Sequence, residues 1–153
     1  MKYWLMKSEP DVFGIDDLAK RPKKTEHWDG VRNYQARNMM RDEMKKGDQV
    51  FFYHSNCKEP GIVGIAEVIK EGYPDYTAQD PESKYHDPKC NADNPRWYMV
   101  DVRFVRKFAQ TITLHDMKNY KILADMRLLA KGNRLSVMPV EKKHWDFILK
   151  LAN

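Results

Sequence analysis

From Gln49 to Phe108 the chain reads as three strands in succession, with no helix between them. Gln49–His54 centres on the apolar run Val50-Phe51-Phe52-Tyr53, and Ile62–Ile69 follows the turn Ser55–Gly61. Trp97–Phe108 alternates, with Tyr98, Val100, Val102 and Phe104 on one side, as a half-buried strand does. Consecutive strands exclude a doubly wound nucleotide fold, which needs helices between parallel strands. Tyr3–Met6 and Leu135–Val140 add two more strands, and Pro139 puts the second at an edge or an end. Gly64, inside a strand, marks a bend, a bulge or a close backbone approach.

Helical segments are scattered among these strands. Gly14–Lys20 ends before Pro22. Tyr34–Lys46 follows Asn33 as N-cap and stops at Gly47. Thr113 caps a short helix, Ile122–Leu129 suggests another turn or two, and Glu141–Leu151 closes the chain. Residues 72–95, with four prolines, read as loop. The pattern predicts an α+β fold around a mixed or antiparallel, barrel-like sheet.

At 153 residues the chain is one domain, 1–153, long enough to bury a core without staples. Cys57 and Cys90 make no disulfide framework. An apolar run of only four residues precedes Lys7, too short for a cleavable signal, and no stretch reaches the ~20 apolar residues of a membrane span. These features predict a reducing interior compartment, no membrane partner, and a sequence that is the whole functional unit. Net charge is +5, with the excess in residues 77–153 (14 Lys+Arg against 9 Asp+Glu). Such a field favours polyanions.

The phosphate-loop, dinucleotide, zincin and nucleophile-elbow motifs are absent. His86 and Cys90 could both touch a metal but lack a second pair, so neither metal nor cofactor is expected. The basic run Lys20–Lys24 reads as a solvated loop. More informative are polar groups beside aromatic ones at strand ends: Lys7-Ser8, Trp28-Asp29 and Tyr53-His54-Ser55-Asn56. If these ends converge, they form a pocket with a stacking wall and edge donors and acceptors, which is what a planar heterocycle requires.

Five ordered blocks then carry a resemblance: Tyr3–Pro10, Trp28–Asn38, Val50–Asn56, Pro60–Ala66 and Leu135–Val137. Together they resemble the EVE domain over nearly the whole chain. The resemblance implies a PUA-like fold, a small bent five-stranded mixed β-barrel flanked by helices, akin to PUA, ASCH and YTH domains. It implies a module that reads a modified, cytosine-type base in DNA or RNA, flipped into an aromatic pocket. Lys7, Ser8 and Trp28 resemble pocket positions of the YTH relatives, and Asp29 would face the base edge; Asn33, Tyr53, His54, Ser55 and Asn56 would border the pocket. Trp97, Met138 and Pro139 are candidates for a second wall, and Lys7, Arg32 and Arg37 would meet flanking phosphates. Trp28 would stack on the base while Asp29 and Asn56 test its edge. The alternative is an ASCH-like hydrolase of a modified nucleoside using Lys7, Ser8 and Glu9 or Glu67. The expected compartment is the cytoplasm of a bacterium, or the nucleus of a eukaryote.

Overall fold

The computed structural model describes residues 1–153, and its strands form one mixed sheet of six. These are β1 (Tyr3–Ser8), β2 (Thr25–His27), β3 (Gln49–His54), β4 (Gly61–Pro74), β5 (Tyr98–Thr113) and β6 (Val137–Val140), in the order β2-β5-β4-β3-β1-β6. The α+β class and the mixed sheet follow the sequence expectation. The strand count rises from five to six, and the hydrogen-bonded order runs between two edges without closing on itself. The added strand, β2, has only three residues, all half-buried and polar, so it carries no apolar period.

β1 and β3 pair in parallel, Trp4 opposite Val50, and every other pairing is antiparallel. A parallel pair needs a long crossover. Here it runs through α1 (Pro10–Phe13), α2 (Ile15–Lys20), β2, α3 (Tyr34–Asn38) and a π-helical turn at Met39–Glu43. The helix expected over 34–46 therefore divides after one α-helical turn. Asn33 caps it as the sequence indicates, accepting from the Ala36 N–H. At Gly64 a Cβ would lie 2.4 Å from the Arg106 carbonyl, the close approach that its place in a strand suggested.

Two apolar clusters cover the two faces of the sheet. Trp4, Met6, Val50, Phe52, Val100 and Val102 pack with Ile15, Leu18, Ala36 and Met40. Leu5, Phe51, Ile65 and Phe108 pack on the other side with Met117 of α4 (Leu114–Met117) and with Trp145 and Ile148 of α5 (Lys142–Ala152). Phe51 stacks on Trp145 at 3.8 Å and 16°. Central strands buried on both faces read as unbroken apolar runs, which explains Tyr3–Met6 and Val50–Tyr53. Buried Asp48 is fully used, accepting from the Trp4 indole N–H and the Lys2 and Lys45 amides. No helix is long and apolar enough to cross a membrane.

Candidate functional site

The chain turns sharply after β1. Glu9 is extended, Pro10 occupies the first position of α1, and the Ser8 hydroxyl donates to the Phe13 carbonyl at 2.6 Å. The Lys7 amide donates to the Ser136 carbonyl just before β6. Facing this corner is the segment Glu26–Arg32, anchored where the Trp28 amide donates to the Val100 carbonyl. Between them lies a cavity of about 580 Å³, closed by Lys84 and Tyr85 from the loop after β4. Trp28 lines it while only 7% exposed, packing edge-on against Phe52 (5.3 Å, 78°) and Phe13 (6.5 Å, 85°).

One buried carboxylate joins the two sides. Asp75 accepts from the Gly30 amide at 2.9 Å and from the Arg32 guanidinium at 3.1 Å, and it also accepts from the amide and hydroxyl of Thr77. Arg32 in turn donates to the Tyr85 carbonyl at 2.6 Å. Gly30 has φ +77°, and a Cβ there would sit 2.6 Å from the Tyr85 ring. Only glycine accepts both the left-handed backbone and the close ring.

The residues lining the cavity carry both signs of charge. Burial pushes the Lys7 ammonium below the usual lysine value, and its Nζ lies 5.5 Å from the Tyr53 ring centre. Burial pushes the Asp29 carboxyl up, against the opposing pull of His27, which sits 3.7 Å away. His27 also contacts Glu26 at 2.9 Å, and Glu26 pairs with Arg21 at 2.8 Å. Arg21 brings the basic Lys20–Lys24 turn to the cavity edge, with Lys23 and Lys24 exposed and left-handed.

The structure brings Lys7, Ser8, Trp28, Asp29 and Arg32 to this cavity, with Glu9 of the hydrolase alternative, and leaves the other expected residues outside its lining. Asn33 is spent on its cap. Tyr53 belongs to the core on the opposite face, together with Met138. His54, lowered by burial, accepts from the Ile15 amide through Nε2. The Ser55 amide ties to the Ser8 carbonyl, and Asn56 donates to Glu9 at the rim. The Trp97 indole donates to Asp87 and its ring stacks on Tyr34, while Pro139 is exposed on an edge strand. Arg37 donates to Asn38 and to the Arg96 carbonyl. Cavity-lining residues that sequence reasoning missed are Phe13, His27 and Tyr85, together with the supporting Asp75. The Asp75-Tyr76-Thr77 Asx turn was the one local signal for Asp75.

Comparisons with known proteins agree with this architecture. The EVE domain model matches residues 2–151. Thymocyte nuclear protein 1 of Danio rerio is 48% identical over 98% of this chain and 71% of its own length, and the human protein is 46% identical over 97% and 73%. A crystal structure from Pseudomonas putida superposes with a TM-score of 0.94 at 50% identity, covering 99% of both chains. Human THYN1 protein in complex with 5-methylcytosine-containing DNA superposes with a TM-score of 0.94 at 45% identity, covering 100% of this chain and 98% of that one. A YTH domain of Zygosaccharomyces rouxii shares the fold at 14% identity, with a TM-score of 0.53 over 99% of this chain and 83% of that one. The chain belongs to the EVE domain family.

Proposed function

We propose that this chain is a binding module that reads a modified nucleobase of cytosine type in DNA or RNA, holding it flipped out of its strand. The observation that carries the reading is a cavity lined by the Trp28 indole, by Asp29 with its partly buried carboxyl, and by Lys7, whose ammonium is partly desolvated. Its volume falls within the usual range for small-ligand sites. The complex of human THYN1 protein with 5-methylcytosine-containing DNA, at 45% identity, supports the choice of base.

Extruding a base costs a few kcal/mol. Stacking on an aromatic ring returns about 1–3 kcal/mol, and Trp28 and Tyr85 stand with Phe13 and His27 among the rings on the cavity wall. Asp29 accepts from an exocyclic amine and Lys7 donates to a ring nitrogen or carbonyl. A base lacking those groups leaves a buried carboxylate or ammonium unpaired, which discriminates more sharply than a methyl contact does.

The hydrolase alternative draws on the lowered Lys7, which suits a general base. Its other members are engaged: the Ser8 hydroxyl donates to Phe13, Glu9 accepts from Asn56, and Glu67 pairs with Arg103. The test is a binding screen over oligonucleotides carrying different modified bases at fixed salt, with acylated cytidine included. Saturable, modification-dependent binding without product supports the reader; release of free cytidine supports the hydrolase.

A further inference from the structure

Beside the cavity lies a second aromatic surface that base reading leaves unused. Tyr34 opens α3 and is 48% exposed. Its ring stacks on Trp97 at 4.8 Å and 24°, and the Arg37 guanidinium lies 4.7 Å from its centre. Arg96 hydrogen-bonds the Tyr34 hydroxyl and holds a left-handed backbone, φ +59°. That conformation is uncommon outside glycine and persists where surrounding contacts over-determine it. Here Arg37 donates to the Arg96 carbonyl at 2.9 Å, and Asp87 pairs with the Arg96 side chain at 3.3 Å.

The patch is continuous with the cavity through Arg32, whose guanidinium lines the cavity and lies 5.4 Å from the Trp97 ring. Cations and rings thus alternate outward from the cavity: Arg32, Trp97, Tyr34, Arg37. Arg32 and Arg96 are each paired with an aspartate. Arg37 bonds only to Asn38 and a carbonyl and makes no ion pair. Aromatic rings beside a guanidinium that makes no ion pair suit unpaired nucleotides, whose bases stack and whose phosphates take the charge.

We propose that the Tyr34–Arg37–Arg96 patch is a second contact, for an unpaired nucleotide adjacent in the strand to the one in the cavity. The inference rests on the base-reading proposal. Arg37 meets the phosphate and the exposed part of Tyr34 meets the base or sugar.

The test measures binding of 5-methyl-2′-deoxycytidine monophosphate and of a single-stranded pentanucleotide carrying the same base at its centre. Wild-type protein should bind the pentanucleotide roughly tenfold more tightly than the mononucleotide. Tyr34→Ala/Arg37→Gln should lose most of that gain while keeping its mononucleotide affinity. Arg37→Gln alone, which keeps the Tyr34–Trp97 stack, should lose part of it. Retention of the full gain in both variants overturns the inference. So does parallel loss of mononucleotide binding in Arg37→Gln, since the patch would then act only as a clamp on the cavity. Wild-type protein that does not distinguish either methylated probe from its unmethylated counterpart overturns the cavity reading, and this inference with it.

Discussion

Arg32 and Asp75 stand 43 positions apart and meet at 3.1 Å, with the carboxylate fully buried and the guanidinium largely so. The pair ties two walls of the cavity together, because Asp75 also holds the Gly30 amide and Arg32 also holds the Tyr85 carbonyl. Asp75→Ala removes one partner of a buried pair and strands a backbone N–H. Such losses cost about 3–5 kcal/mol, toward the lower end here because Arg32 keeps some solvent contact. Thermal unfolding should show a drop of several degrees, and binding of a modified oligonucleotide should fall with it. Arg32→Lys should restore little, since a lysine cannot serve Asp75 and Tyr85 as a planar fork does.

Lys7 shows the opposite balance. It is desolvated and has no carboxylate partner in the cavity, so its charge is held at a cost to the fold. Lys7→Met should raise the melting temperature slightly, since it removes a partly desolvated charge that has no ion-pair partner. The same variant should weaken modified and unmodified oligonucleotides and flatten the salt dependence of binding. Calorimetry and binding titrations at several salt concentrations check the two halves separately.

The Asp29 carboxyl has a pKa raised mainly by burial, so the folded chain binds its proton more tightly than the unfolded one. Stability contributed by this group therefore falls as pH rises from the unfolded value through the folded one, and the cost persists above it. Asp29→Asn should leave the fold at least as stable at neutral pH. Base binding runs the other way. If the ionised carboxyl accepts from the base, affinity is full above the raised pKa and declines as pH falls through it. That decline should begin above the ordinary aspartate range and vanish in Asp29→Asn, whose affinity is lower at neutral pH.

Some of this was legible in the sequence, for identifiable reasons. Tyr3–Met6 and Val50–Tyr53 announced central strands because both faces of the sheet are covered. Lys7, Ser8, Trp28 and Asp29 meet because the end of β1 faces the segment following β2. Tyr53 and His54 do not join them: Tyr53 enters the far core, and the His54 imidazole is taken by the Ile15 amide at the start of α2. Trp97 was a plausible wall by type, but Asp87 and Tyr34 already occupy its indole. Tyr85 and Asp75 could not be read, because the loop carrying them has no period and acts through contacts more than 40 residues away in sequence. The helix over 34–46 divides although its apolar spacing is helical, because buried Met39 and Met40 are carried on a π turn.

The most direct test of the central claim compares two otherwise identical oligonucleotides, one carrying 5-methylcytosine and one cytosine, against wild-type protein and Trp28→Ala. Wild-type protein should prefer the methylated strand. The variant should lose about 1–3 kcal/mol on that strand and with it the preference, while keeping the salt-sensitive attraction common to both. A folded Trp28→Ala variant that retains the full preference, or a wild-type protein with none, would contradict the account.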